Sequence, residues 1–170
     1  MRTTDAHALF TTAYRQHAGA VLGYLRARGV DDPEAVTQDV FLALYPKLGE
    51  LRGGDAGLRT LLFSIAHARA VDHHRARTRG PEHLEYDPDA DRRTTASAED
   101  TALAGRGVVA HLARLSPEYR EVLALRVVAD LSLEVTAQVM GRSVDAVKQL
   151  QRRALLALRA DVTAGSEVFA

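Results

Sequence analysis

The chain has 170 residues, 46% of them hydrophobic, and it contains no cysteine. This length fits one ordinary domain or two small ones, and the apolar content is too high for a disordered chain. Without cysteine there can be no disulfide, thiolate zinc site or thiol switch within the chain. No apolar run approaches the about 20 residues that cross a bilayer, and Met1–Phe10 lacks the apolar core of a secretory signal. We therefore expect a cytoplasmic protein without membrane insertion.

The charges balance overall but are unevenly distributed. Lys and Arg outnumber Asp and Glu by 11 to 8 in residues 1–79, are outnumbered 2 to 7 in residues 80–105, and lead 9 to 7 in residues 106–170. The corresponding net charges are +3, −5 and +2, so an acidic middle segment separates two mildly basic ends. A solvated surface alone would also account for such a charge run.

Apolar residues in the N-terminal part recur at three- and four-residue spacing, which predicts helices rather than strands. A first helix is predicted over Asp5–Arg28. Asp32 can cap a second helix with Pro33 at its first position, and Pro46 is expected to end it. A third helix is predicted over roughly Leu58–Arg77.

The helical pattern disappears from Gly80 to about Thr101, where two prolines and the five acidic residues within Glu82–Asp91 favour a flexible linker. It returns before Ser116-Pro117-Glu118, a sequence typical of a helix start. We predict an all-α protein with two small helical domains joined by a flexible acidic linker. The predicted boundaries are 1–79 for the first domain, 80–105 for the linker, 106–163 for the second domain and 164–170 for a tail.

The second domain has the spacing of a helix-turn-helix. A small residue, Ala137, is followed after four positions by Gly141 and after six more by the branched Val147. These residue types allow close helix crossing, a left-handed turn and packing of the second helix on the first. Ser132 and Ser143 are placed to cap the two helices.

The predicted second helix of this motif sorts its side chains by chemistry. The apolar side consists of Val147, Leu150, Ala154 and Leu158. The polar side consists of Lys148, Gln149, Arg152 and Arg153. Cations for phosphates beside an amide for base edges favour a helix that enters the major groove. An amphipathic helix with a merely solvated basic face is the alternative.

Several segments resemble extracytoplasmic-function sigma factors. Leu115–Leu123, Leu131–Glu134 and Val144–Lys148 resemble region 4 of this family. Asp32–Phe41 resembles the region 2 segment that grips RNA polymerase, and Leu61–His73 resembles the segment that reads the −10 element. The resemblance covers both predicted domains in the family's order, at about residues 8–78 and 105–160.

This resemblance implies a sigma factor that binds core RNA polymerase and directs initiation at specific promoters. It implies contact with the polymerase through Asp32, Glu34, Gln38, Asp39 and Phe41. It implies that region 2 melts and reads the −10 element, for which the candidate residues are His67, Arg69, His73, Arg75 and Arg77. It implies that region 4 reads the −35 element, for which the candidates are Arg142, Ser143, Lys148, Gln149, Arg152 and Arg153. It further implies a linker that threads toward the RNA exit path and an anti-sigma protein as a partner.

Three positions depart from the family pattern. Leu61 stands where the family usually has Trp, Ala35 where it often has an acid, and Ala68 where it often has an Asn that reads an extruded base. If the usual reader is missing, His67, Arg69 or a nearby loop residue takes over capture of the −10 base.

Catalysis and metal binding are not expected. His73 and His74 are adjacent and so point to different helix faces, and no second cluster completes a coordination shell with His67 and Asp72. The sequence has no phosphate-binding glycine loop, nucleophile elbow or convincing carboxylate pair, so we predict no enzyme activity, no metal and no cofactor.

Two other functions fit the same pattern. One is a stand-alone helix-turn-helix regulator with an N-terminal sensor or interaction domain. The other is an interaction protein that sequesters polymerase without starting transcripts. A sensor would need an apolar pocket, whereas a sigma factor would need the polymerase contact at Gln38 and Asp39.

Overall fold

The computed structural model describes residues 3–79 and 107–167, and the regular structure of both stretches is entirely helical, which confirms the predicted all-α class. The N-terminal unit contains α1 (Thr3–Ala27), α2 (Pro33–Leu44), a 3₁₀ helix (Tyr45–Glu50) and α3 (Gly54–Arg79). The C-terminal unit contains α4 (107–113), α5 (Pro117–Leu123), a π-helical turn (Ala124–Val128), α6 (Leu133–Met140) and α7 (Val144–Glu167). The predicted linker, 80–105, lies outside the described residues.

The start of α2 follows the predicted capping chemistry. Asp32 adopts a left-handed backbone conformation with φ 48°, and its carboxylate accepts the backbone N–H of Ala35 at 3.2 Å. Pro33 occupies the first helical turn, where no backbone donor is needed. At its other end α2 tightens into the 3₁₀ helix that contains Pro46, so the proline ends the α-helix as expected.

The core of the N-terminal unit is built around aromatic side chains. Tyr24 of α1 meets Phe63 of α3 edge to face with ring centroids 5.8 Å apart. Phe41 of α2 packs against Phe10 and Tyr14 of α1 at 6.2 and 4.9 Å. Such pairs add to the stabilisation from apolar burial, and they fix the three helices against one another.

The helix that begins at Ser116 does not continue regularly. The Ser116 side chain accepts the N–H of Tyr119, as the sequence predicts for a cap, but after Leu123 the backbone widens into the π-helical turn. A π-helical turn contains one residue more than an α-helical turn, so the side chains that follow it are rotated about the helix axis. Val127, four residues after the buried Leu123, is 57% exposed.

The helix-turn-helix has the predicted geometry. Ser132 accepts the N–H of Val135 at 3.1 Å, and Ser143 accepts the N–H of Ala146 at 3.1 Å. Gly141 ends α6 with φ 64°, the left-handed conformation that a glycine adopts without strain. Ala137 and Val147 are buried where α6 and α7 cross. Helix α7 continues to Glu167, which is beyond the predicted domain end at 163.

The two helical units pack directly on each other. Helix α3 lies against α6, and α1 lies against the π-helical turn. The approach is close at Gly23, because a Cβ atom there would lie 3.2 Å from the Val128 side chain. Within 3–79 and 107–167, none of the helices combines the length and the apolarity that a bilayer crossing would require.

Candidate promoter and polymerase surfaces

Helix α7 presents the two faces expected of a recognition helix. Val147, Leu150 and Ala154 are buried against the rest of the C-terminal unit. The opposite side is exposed and carries Lys148, Gln149, Arg152 and Arg153. We call these four residues the α7 polar face. Because no intramolecular hydrogen bond engages Gln149 among the described residues, its amide is free to meet a base edge.

Two further predicted −35 residues lie at the start of α7 and are already engaged. The hydroxyl of Ser143 caps the helix, so its contribution to a phosphate site would come from the helix N-terminus as a whole. The Arg142 guanidinium contacts the Glu118 carboxylate and is 40% exposed. DNA binding at Arg142 would therefore compete with this ion pair.

The five predicted −10 residues do not form one surface. His73 and Arg77 turn toward Asp31: the Asp31 N–H donates to the His73 ring at 3.2 Å, and Arg77 lies 3.6 Å from the Asp31 carboxylate. His67 instead faces the C-terminal unit, with Nδ1 2.8 Å from the Glu121 carboxylate. Arg69 and Arg75 are exposed and enter no ion pair among the described residues.

The predicted polymerase residues on α2 separate into three groups. Gln38 and Asp39 are exposed side by side. Asp32 is used as the helix cap, and Glu34 accepts a hydrogen bond from Arg26 at 2.7 Å, which lowers the pKa of the Glu34 carboxyl.

Phe41 is only 2% exposed, so its assignment to the polymerase contact needs correction. Its ring fills the gap between α1 and α2, which leaves no surface for a partner.

An exposed apolar residue that the sequence reasoning missed lies beside Gln38 and Asp39. Leu42 is 70% exposed, and it stands three and four positions further along the same helix. Tyr14 and Tyr45, which both pack on the Phe10 ring, are also partly exposed, at 44% and 39%. We call Leu42, Tyr14 and Tyr45 the α2 apolar patch. The four-residue spacing between Gln38 and Leu42 could have indicated from the sequence that the two side chains lie on one face of the helix.

A second missed group joins the two helical units. Glu121 of α5 lies 2.8 Å from His67 of α3 and 3.8 Å from Arg28, the residue that follows α1. Arg28 also donates to the Tyr24 hydroxyl at 2.7 Å, and the side chains of Arg28 and Glu121 are only 8% and 15% exposed. We call Arg28, His67 and Glu121 the interdomain ion cluster.

The cluster keeps Glu121 ionised. Burial opposes the charged form of this carboxyl, but the neighbouring His67 and Arg28 outweigh burial, and the pKa of Glu121 lies below its usual value. The contact to His67 has the distance of an ion pair, while its angle is poor for a directed hydrogen bond. Nothing in the sequence pattern relates these three positions, which lie far apart along the chain.

Across residues 3–79 and 107–167, no three His, Asp or Glu side chains are grouped so that they could hold an ion.

Comparison with known proteins decides between the functions that fit the sequence. Residues 111–160 match the family described as Sigma-70, region 4. The ECF RNA polymerase sigma factor SigD of Mycobacterium tuberculosis is 31% identical over 167 residues, covering 86% of this chain and 74% of that protein. The chain belongs to the ECF sigma factors. The sigma factor YlaC of Bacillus subtilis is 27% identical over 167 residues, covering 91% of this chain and 92% of YlaC.

Solved structures show that the fold of this ECF sigma factor is shared. CnrH, determined in complex with the cytosolic domain of CnrY, superimposes with a TM-score of 0.69 at 24% identity, covering 93% of this chain and 90% of CnrH. RpoE of Bartonella quintana, determined with the anti-sigma factor NepR, gives a TM-score of 0.68 at 20% identity, covering 91% of this chain and 96% of RpoE.

Proposed function

We propose that this ECF sigma factor binds core RNA polymerase through α2 and positions it at promoters through α3 and α7. As a sigma factor it directs promoter-specific transcription. The observation that carries the residue-level proposal is the α6–turn–α7 motif, which leaves the α7 polar face exposed while α7 packs through its other side. A stand-alone regulator is not favoured, because the relatives are RNA polymerase sigma factors over most of the chain.

The polymerase surface is assigned to Gln38 and Asp39 together with the α2 apolar patch. A polar pair beside a large exposed apolar side chain is the composition of a protein interface, where apolar and aromatic anchors supply most of the affinity. The tyrosines suit this role because they bury a large ring at small cost in side-chain entropy and keep a polar hydroxyl at the rim.

The promoter surfaces are assigned to two helices. The α7 polar face reads the −35 element, with Gln149 for a base edge and the three cations for phosphates. Helix α3 meets the −10 element through Arg69 and Arg75, which are exposed, and through His67 once it is released from Glu121.

We further propose an anti-sigma protein as a partner, since CnrH and RpoE, which share this fold, were each determined with a partner protein. Sigma factors are regulatory subunits, and we propose that this chain has no catalytic activity of its own and acts in the cytoplasm.

Run-off transcription with purified core polymerase tests the proposal. The template pool carries randomised −35 and −10 elements, and sequencing of the transcripts reports which promoters are used. We expect transcripts only when this protein is added, starting downstream of one recurrent pair of elements. If transcripts formed without the protein, or if the added protein selected no particular promoters, the result would contradict a sigma function.

A further inference from the structure

We infer that Asp145 is a specificity-determining residue of the −35 contact and that it selects a cytosine. This role lies within the proposed promoter function and rests on it. The side of α7 that carries the α7 polar face otherwise presents cations and an amide, and Asp145 adds a single carboxylate to it.

The Asp145 side chain points in the same direction as the α7 polar face. Successive residues of an α-helix are about 100° apart around the axis, so Asp145 lies about 40° from Gln149 and about 20° from Arg152. Ala154, which is fully buried, lies on the opposite side of the helix. The carboxylate is therefore directed at whatever the α7 polar face meets, with cations toward both edges of that face.

The folded chain makes little use of the Asp145 carboxylate. Among the residues that the structure describes, it enters one loose ion pair, with Lys148 Nζ at 4.0 Å, and its side chain is 90% exposed. Such a surface pair contributes little stability. The start of α7 is capped separately by the Ser143 hydroxyl, which accepts the N–H of Ala146. An acid in the first turn also interacts favourably with the helix dipole, and this purely structural role is the alternative that experiment must separate.

The charge of Asp145 is opposite to that of its surroundings on the helix. Between Val144 and Ala160, α7 carries four cations and no other acid. Cations gain affinity from phosphates at any DNA sequence, whereas a carboxylate is repelled by phosphates at any sequence. Asp145 therefore lowers the affinity for DNA unless the site supplies a hydrogen-bond donor. A penalty that only the right site removes is a source of specificity.

Few base edges supply the donor that a carboxylate needs. A carboxylate only accepts hydrogen bonds, and the donors in the major groove are the N4 amino group of cytosine and the N6 amino group of adenine. Guanine and thymine present acceptors there. Adenine has its N7 acceptor beside the amino group, which repels a carboxylate, whereas cytosine has no acceptor of its own beside N4. Asp145 therefore selects cytosine and disfavours guanine and thymine at the position that it faces.

The spacing of Asp145 from Gln149 relates the two bases that they contact. Asp145 is the second residue of α7, and the N-terminal residues of a recognition helix are those that reach base edges. Gln149 follows about one helical turn later, which is about 6 Å along the helix axis. Base pairs are stacked about 3.4 Å apart. The selected cytosine should therefore lie about one or two base steps from the base that Gln149 recognises.

Competitive run-off transcription with core polymerase and templates randomised over the −35 element tests the role of Asp145. The templates that the unsubstituted protein uses should share a cytosine at one position where guanine and thymine are excluded. Asp145→Ala should reduce the preference for that cytosine by about 5- to 150-fold and increase the use of other templates. Asp145→Asn should instead change the preferred base to adenine, because an amide pairs with N6 and N7 of adenine.

Glu134→Ala is the matched control. Glu134 is the second residue of α6 after the Ser132 cap, as Asp145 is the second residue of α7 after Ser143, and both acidic side chains are exposed. Each substitution removes an acid from a helix start, so the two should change stability similarly, but only Asp145→Ala should change the base preference. If both variants changed the use of all templates uniformly, Asp145 would have a structural role only and the proposal would be overturned.

A modified base tests the atomic contact. N4-methylcytosine still pairs with guanine, but its methyl group replaces the hydrogen that N4 presents to the major groove. The unsubstituted protein should use a template with this base at the selected position less than the cytosine template, whereas Asp145→Ala should use both equally. Equal use of both templates by the unsubstituted protein, or an unchanged cytosine preference in Asp145→Ala, would overturn the assignment.

The same templates separate a failure of this assignment from a failure of the sigma function. If no transcripts depended on the unsubstituted protein, the proposed function would fail. Selection of duplexes from the randomised pool by the full chain alone, at low salt, would then decide the role of Asp145. A cytosine preference that Asp145→Ala abolishes would support the assignment, and any other outcome of the selection would overturn it.

Discussion

Gln149→Ala is expected to change promoter choice without changing stability. Gln149 is exposed on α7 and is the only amide of the α7 polar face, so the substitution removes one donor and one acceptor and leaves the fold intact. Loss of a bidentate base contact costs about 1–3 kcal/mol, which corresponds to about 5- to 150-fold in preference at one base position. The free energy of unfolding should stay within about 0.5 kcal/mol, as is usual for exposed positions away from special features.

The assay is competitive run-off transcription with core polymerase and a series of templates that differ at single positions of the −35 element. The unsubstituted protein should discriminate at the position that Gln149 contacts, and Gln149→Ala should lose discrimination there while keeping it elsewhere. Gln16→Ala provides a matched control, because it removes an exposed amide from the N-terminal unit. Lys148→Ala should instead weaken use of all templates, since a phosphate contact carries no sequence information.

Unchanged discrimination in Gln149→Ala, with normal activity and helix content, would refute the proposed rotation of α7 in the groove. Asp145 and Arg152, which are also exposed, would then be the next candidates for base contact.

Three other substitutions or conditions give separate expectations. Leu42→Asp should weaken core polymerase binding in a pull-down by about tenfold or more, since burying a leucine contributes about 1.5–3 kcal/mol. Val127→Asp is the control: Val127 is also apolar and exposed, and its substitution should leave polymerase binding unchanged. Gly141→Ala should lower the free energy of unfolding in urea by about 1–2 kcal/mol, because alanine is strained at φ 64°, and an unchanged midpoint would contradict this. Burial lowers the pKa of both His17 and His74, so the unfolded chain binds more protons than the folded protein as the solution becomes acidic. The Tm should therefore fall as the pH decreases from about 7.5 to 5.5. A Tm that rises as the pH decreases would contradict this expectation.

Local features of the fold could be predicted from the sequence. The caps at Asp32, Ser116, Ser132 and Ser143 depend on a side chain and a backbone N–H three residues apart, so the information lies within a short segment. The turn at Gly141 is similar, because glycine is the residue that reaches positive φ without strain.

Features that depend on distant contacts could not be predicted. The π-helical turn after Leu123 is accompanied by side-chain hydrogen bonds from Arg126 to the Leu131 carbonyl in the following loop and to Gln151 of α7. From the sequence, Phe41 could belong either to the buried face of α2 or to the polymerase contact that the family resemblance implies. Only its packing against Phe10 shows that it is buried. The interdomain ion cluster depends on how the two units meet, which no local pattern encodes.

The distribution of charge explains why such a protein needs the polymerase. Three cations on the α7 polar face neutralise few phosphates, so DNA affinity should change with salt with a slope of only about −3, far below that of a repressor that acts alone. Attachment of the protein to polymerase through α2 would convert promoter binding into a local event at high effective concentration, for which weak contacts suffice.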